Sequence, residues 1–303
     1  MFEKIFGKEF KRQNSSDKIF DITNYLVLLL ILLAVLYPLY FIIIASFSDP
    51  NAVARGDVWL FPVGFNVDGY KEIFKNNDIW MGYTNSIKYT IIGTFVNIIL
   101  TVPAAFALSR KELVGRKVFM SLITFTMFFG GGLIPTYLLV SNLGLYDTMW
   151  ALILPGAVSV FNLIVTRTYF VQNIPEELFE AAQVDGCSYF SFFVKIVIPV
   201  SKPIIAVMVL MYAVGHWNSY FNALIYIRDR NLYPLQVILR ELLIQQEAAA
   251  GMAGDAISAA EQQRIADMLK YGIIIVSSLP VLCMYPFVQK YFVKGMMIGS
   301  VKG

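Results

Sequence analysis

Residues 25–44 read YLVLLLILLAVLYPLYFIII. No charge or amide interrupts the run, and it meets the roughly 20 residues a helix needs to cross a hydrocarbon core of about 30 Å. A chain in lipid must satisfy its own backbone hydrogen bonds, so the run is helical. Five further apolar runs follow, and the expected spans are 24–46, 86–108, 118–140, 148–170, 202–226 and 271–291. The alternation of a membrane barrel strand is absent. The fold class is therefore all-α: a polytopic membrane protein with six transmembrane helices and both termini on one side. Composition agrees, since 303 residues that are 57% hydrophobic and 15% aromatic carry too little polar surface to cover a soluble globule.

Orientation follows from basic residues beside the spans. Lys4, Lys8, Lys11, Arg12 and Lys18 precede the first, and Arg110, Lys111, Arg116 and Lys117 follow the second. Arg167, Lys195 and Lys202 flank the fourth and fifth, and Lys290, Lys294 and Lys302 close the chain. These sides are read as cytoplasmic, which places the protein in the plasma membrane with both termini inside. The first run is too long and too far from the start for a cleaved signal peptide. The net charge of +3 is spread among helix ends without an aromatic-interleaved patch, so no nucleic acid is expected. Cys187 and Cys283 fall in different environments and are not expected to pair.

Two divisions are expected along the chain. Residues 1–22 alternate charge with Phe2, Ile5, Phe6 and Phe10, which suits either an amphipathic helix on the inner membrane surface or a frayed tail. Residues 23–303 form the six-helix membrane domain, with a polar elbow at 173–199 and an outer loop at 227–270 whose helical composition is interrupted by Gly251 and Gly254. An earlier outer loop, 48–83, contains a turn and a short interfacial helix near Asp68. Gly130, Gly131, Gly132 and Pro135 mark close packing or a bend in span three.

The elbow carries the most chemistry. Pro175, Glu176 and Glu177 open a helix, since proline suits the first turn and carboxylates favour the positive end of the helix dipole. Leu178, Ala181, Ala182 and Asp185 share one face at i, i+3, i+4 and i+7, with Glu180 beside it, so two small residues allow another backbone to approach closely. Gly186 provides a turn with positive φ. Ser188 caps a second helix, 189–197, whose Tyr189, Phe190, Phe192 and Phe193 anchor it at the membrane interface. Pro199 and Pro203 bracket the start of span five.

Glu180-Ala181-Ala182, Gly186 and Ile196-Val197-Ile198-Pro199 resemble the signature of inner-membrane permeases of binding-protein-dependent ABC importers: Glu-Ala-Ala, three residues, Gly, nine residues, Ile-x-Leu-Pro. Both spacings match, and Ile198 in place of Leu is a volume-conserving departure. Span three's Gly131-Gly132-Leu133-Ile134-Pro135-Thr136-Tyr137, Trp217-Asn218 and the tail 294–303 resemble the carbohydrate branch, in particular permeases for complex oligosaccharides.

The resemblance implies a type I importer permease fold and an elbow gripped by an ATP-binding-cassette ATPase dimer. It makes Glu180 an ionic contact, Ala181 and Ala182 a packing surface, and Gly186 the turn, with Asp185, Ile196 and Pro199 completing the coupling set. It also implies a second homologous permease, an extracellular solute-binding protein and an oligosaccharide substrate, with lipid around the spans. ATP and Mg belong to the partner ATPase, and no cofactor is expected on this chain.

Intramembrane polar residues are candidate function sites. His216, Trp217, Asn218, Tyr220 and Asn222 cluster in span five, where an aromatic with amide neighbours can stack on and hydrogen-bond to a sugar. The same residues can instead bond and pack against a neighbouring helix, and both readings stand. Asn162 and Arg167 in span four offer less, Arg167 being placed to snorkel to lipid headgroups.

No phosphate-cradling glycine loop, metal-ligand cluster or nucleophile–base pattern occurs, so the chain is not expected to be an enzyme or to hold a metal. An ion-coupled secondary transporter is the rival class. It usually needs buried acids, and none lies well inside the six expected spans. A third reading keeps the importer class but changes the cargo to peptide, amino acid or phosphonate.

Overall fold

The computed structural model describes residues 14–252, 264, 266–284 and 286. Residues 1–13, most of the outer-loop segment after Met252 and the tail 287–303 lie outside this set, including Phe2, Ile5, Phe6, Phe10 and the basic residues Lys4, Lys8, Lys11, Arg12, Lys290, Lys294 and Lys302. The chain divides into two compact units, Met1–Ile73 with Gln246–Ile275, and Phe74–Gln245 with Val276–Gly303.

In the first unit, α1 (Ser15–Ser46) is capped by Asn14, whose Oδ1 accepts from Ser15 N at 2.8 Å. The helix runs through the boundary expected near residue 22, because no breaker lies between Ser15 and the apolar run. Its Leu26–Leu36 stretch is exposed on every side, as befits a helix whose solvent is lipid. Two short helices follow, α2 (Pro50–Ala54) and α3 (Asp68–Lys75). Phe47 stacks on Phe65 at 5.8 Å, and Tyr70 Oη donates to Ser46 Oγ at 2.8 Å, which folds this loop onto the end of α1.

The second unit is organised around α4 (Asn77–Ser109), which packs against α8 (Val160–Asn173) and α11 (Lys202–Trp217). Between α4 and α8 lie α5 (Arg116–Phe128), α6 (Leu133–Asn142) and the single turn α7 (Trp150–Ile153). The elbow consists of α9 (Glu176–Val184) and α10 (Tyr189–Val200), the latter interrupted by a π turn at Phe193–Val197. Beyond α11 come α12 (Phe221–Tyr226), a 3₁₀ turn at Arg230–Leu232, α13 (Leu235–Met252) and α14 (Ala266–Met284), the last two each divided between the two units. Among the described residues there is no strand.

Among the described residues three helices, α1, α4 and α14, are long and apolar enough to cross a membrane unaided. Two bent pairs, α5 with α6 at 113° and α10 with α11 at 81°, bring the number to five if each pair is one span. The expected span 148–170 is not one helix: Pro155 and Gly156 break it, and α8 alone is about 21 Å long at 1.5 Å per residue, short of the core thickness. The expected span 202–226 also stops at Trp217 and resumes at Phe221, with Asn218 closing α11 through its backbone N–H to the Val214 carbonyl. The glycines of span three produce a bend and not close packing. Gly132 has φ 86°, and neither Gly130 nor Gly132 has any atom within 4 Å of an added Cβ.

Polar side chains repair these breaks. Asn97, with 0% exposure, donates through Nδ2 to the carbonyls of Gly156 and Ala157 at 3.1 and 2.8 Å, the groups that the break before α8 leaves without helical partners. With its amide nitrogen so committed, its Oδ1 accepts from His216 Nε2 at 2.6 Å, which assigns the imidazole proton to Nε2. One turn below, Tyr212 Oη shares a hydrogen bond with Thr101 Oγ1 at 2.7 Å and accepts from Ser159 N at 3.2 Å. Arg167 Nε donates to the Leu108 carbonyl at 2.9 Å, so this arginine caps the end of α4 and does not snorkel to lipid.

At the end of this unit opposite the elbow, Asp147 (φ 59°) accepts from the amides of Arg228 and Asp229 at 2.7 and 2.8 Å. The Asp229 amide first, then that of Arg228, hold its carboxyl below the usual carboxylate range. Arg230 pairs with Asp78 at 2.8 Å.

The α4–α11 crossing depends on Gly93, where a Cβ would lie 2.4 Å from His216 Nε2. Gly93→Ala is therefore expected to destabilise the protein by about 1–3 kcal/mol through overpacking, read as a lowered thermal unfolding midpoint in detergent. An unchanged midpoint contradicts the crossing described.

Candidate functional site

The elbow is assembled on an aromatic core. Phe179 of α9 is 2% exposed and lies 5.0 Å from the Phe192 ring and 4.8 Å from that of Tyr189. Phe106 at the end of α4 joins the cluster, 6.2 Å from Phe192 and 5.0 Å from Phe193. The π turn adds a residue to its helical turn, and Phe192, Phe193 and Val197 all face inward. Phe192 and Phe193 are thus core residues and not the interfacial anchors expected. Only Tyr189 and Phe190 are exposed.

Arg110 extends the same cluster. It is buried at 8% exposure, and its guanidinium lies over Phe106 at 5.7 Å and Phe179 at 5.2 Å, a cation–π bridge from α4 to the elbow. Next to it Lys111 Nζ pairs with Glu176 in the first turn of α9. Hydrogen bonding to Glu176 raises the lysine, and hydrogen bonding to Lys111 lowers the carboxyl. The carboxylate's share holds above its ordinary pKa and fades as pH falls through the depressed value, while the lysine's fades only as pH rises through the raised one. The pair therefore persists across the neutral range. Both groups are at the rim, so its contribution to stability is small.

The turn follows from backbone chemistry. Gly186 has φ 76° and no atom within 4 Å of an added Cβ. Its N–H donates to the Gln183 carbonyl at 2.9 Å, and that of Cys187 to Ala182 at 2.8 Å, closing the end of α9. Ser188 Oγ then accepts from Ser191 N at 3.2 Å and caps α10.

Glu180, Ala181, Val184, Asp185 and Gly186 are exposed on the outer side of the knob, Val184 at 89%. Ala182 is not among them. It is 7% exposed and belongs to the elbow's own core, so the small-residue face divides, with Ala181 outward and Ala182 beneath it. Ile196 is half-buried against the same core, and Pro199 is exposed just before the 81° bend.

The span-five candidates separate in the same way. His216 is engaged by Asn97, and Trp217 is buried with its indole N–H donating to the Ser277 carbonyl at 2.9 Å, so both serve helix packing. Asn218 and Asn222 are exposed, and Tyr220 is half-buried beneath the Arg240 guanidinium, 4.6 Å from its ring centroid. Asn162 is buried and its backbone amide donates to the Ser159 hydroxyl at 3.4 Å. No metal-binding group of three or more His, Cys, Asp or Glu occurs among the described residues. Cys187 and Cys283 are both free.

Residues 79–242, which contain the elbow and the helices that hold it, match the family described as Binding-protein-dependent transport system inner membrane component. The chain belongs to this family. It is 42% identical to the Polygalacturonan/rhamnogalacturonan transport system permease protein YtcP of Bacillus subtilis (strain 168), over 95% of this chain and 99% of the relative. Protein LplC of the same organism is also 42% identical, over 95% and 96% of the two chains. The fold is similar to a chain in the crystal structure of a bacterial ABC transporter involved in the import of the acidic polysaccharide alginate. The TM-score is 0.81 at 34% identity, covering 92% of this chain and 99% of that one.

For this inner membrane component, sequence reasoning passed over Asn97, Arg110, Phe179 and Arg240. Asn97 had a signal, a lone amide within the apolar run of span two, but the aromatic and amide cluster of span five drew the attention. Arg110 counted only as a topological charge. Phe179→Ala in this inner membrane component is expected to cost about 3–5 kcal/mol, felt first in the elbow. Hydrogen exchange over 176–200 should accelerate while that of α4 stays slow, and uniform protection of the elbow would contradict the packing described.

Proposed function

We propose that this chain is the permease subunit of an ATP-driven oligosaccharide importer and that its elbow is the contact with the ATPase. The observation that carries this reading is the knob itself: Glu180, Ala181 and Val184 stand exposed on a short helix turned by Gly186, while Phe179 and Ala182 beneath it are locked into the span ends. The cargo assignment rests on relatives named for polygalacturonan, rhamnogalacturonan and arabinooligosaccharide transport, and on the alginate importer.

A second homologous permease completes the path. The ATPase dimer, which holds ATP and Mg, grips the elbow from the cytoplasm, and a solute-binding protein delivers cargo from outside. Lys111, Arg116, Lys117, Lys195 and Lys202 near the elbow support that orientation, with both termini cytoplasmic. Hydrolysis belongs to the partner, and this chain supplies the path and the lever. Closure of the ATPase pair moves α9, and the Phe179–Phe192–Phe106 cluster with Arg110 carries the movement into α4 as a packed unit.

Gly186→Val forces a β-branched residue to positive φ and is expected to abolish uptake while the protein remains in the membrane. Glu180→Lys is expected to reduce co-purification of the ATPase. Unaltered uptake by both variants removes the basis for these roles, and uptake that survives ATP depletion while an ion gradient persists favours the ion-coupled class.

A further inference from the structure

We infer that Arg240, held over the Tyr220 ring, is a carboxylate-binding residue for the cargo, and that the cargo is an acidic, uronate-bearing oligosaccharide. This deepens the importer reading above and rests on it. Arg240 is the exposed member of a stretch otherwise buried: Leu235, Val237, Ile238 and Leu239 are 0–3% exposed, and Leu235 N donates to Ser86 Oγ at 2.9 Å. The backbone that carries the arginine is thus fixed against α4.

The guanidinium is fixed as well, its carbon 4.6 Å from the Tyr220 ring centroid. A cation held over an aromatic face is oriented without its charge being neutralised. No carboxylate among the described residues pairs with it. The adjacent Glu241 is engaged by Arg230 at 3.5 Å, and Arg230 in turn holds Asp78.

What remains is a pre-oriented planar donor fork that no carboxylate among the described residues engages, and its best match is a planar carboxylate. Tyr220 occupies the break between α11 and α12, with the exposed amides of Asn218 and Asn222 on either side in sequence. Amides hydrogen-bond sugar hydroxyls, and the guanidinium reads the acid. A glutamate or aspartate of a partner protein offers the same carboxylate, but it does not call for flanking amides.

The test uses cells carrying the complete transporter with its wild-type binding protein in every arm, so that differences between variants arise in the permease. Uptake of labelled trigalacturonate is compared with that of its methyl ester. Arg240→Gln is expected to lower uptake of the acid about tenfold, the scale of one lost charge-assisted hydrogen bond, and to leave the ester within about twofold. Arg240→Lys should retain part of the acid uptake.

An equal fall for both cargoes assigns Arg240 to folding or to a partner's carboxylate and overturns the inference, as does no change in either. If the wild type imports the ester or a neutral oligosaccharide with ATP but rejects the acid, the acidic cargo is wrong and the oligosaccharide importer stands. No ATP-dependent uptake of any of these overturns the importer reading itself.

Discussion

The second unit depends on one buried amide. Asn97 lies in an apolar helix, where an unsatisfied polar group costs several kcal/mol in hydrocarbon, and every polar atom of its side chain is used. Its partners explain why. Pro155 and Gly156 end the helical ladder before α8, which leaves the carbonyls of Gly156 and Ala157 bare, and Asn97 supplies the missing donors. His216 completes the set from α11. Two helices and the segment leading into α8 are thus tied at one point, and the broken fourth segment is tolerated because its neighbour repairs it.

The elbow follows a different logic. It has few hydrogen bonds to the rest of the unit and is held by rings: Phe106, Phe179, Phe192 and Phe193, with Arg110 lying over two of them. Aromatic contacts of this kind are stiff in compression and nondirectional enough to survive a small rotation. The polar seam inside the membrane sets the positions of the helices, and the aromatic cluster at their ends packs the elbow against them.

Much of this was legible in the residues. Apolar runs of membrane length are enough for an all-α multi-pass chain, and the spacing from Glu180 to Pro199 is enough for the elbow, its glycine turn and its Ser188 cap. The orientation of individual side chains was not legible. Ala181 and Ala182 are alike in sequence but lie on opposite sides of a short helix that is apolar on more than one face. Phe192 and Phe193 turn inward together because of a π turn that no local pattern announces. Pro155 carried a break signal that the length of the surrounding apolar run concealed. The pairing of Arg240 with Tyr220 depends on how the chain returns to α4, which periodicity does not encode.

Two glycines of this protein are irreplaceable for unlike reasons. Gly93 is constrained by volume: the Cβ of an L residue there collides with the His216 ring. Gly186 is constrained by handedness alone, since its φ of 76° is hostile to L residues while the space around it is open. A mirror-image alanine placed there by chemical synthesis would keep the elbow's shape, whereas what Gly93 preserves is the room that the His216 ring occupies.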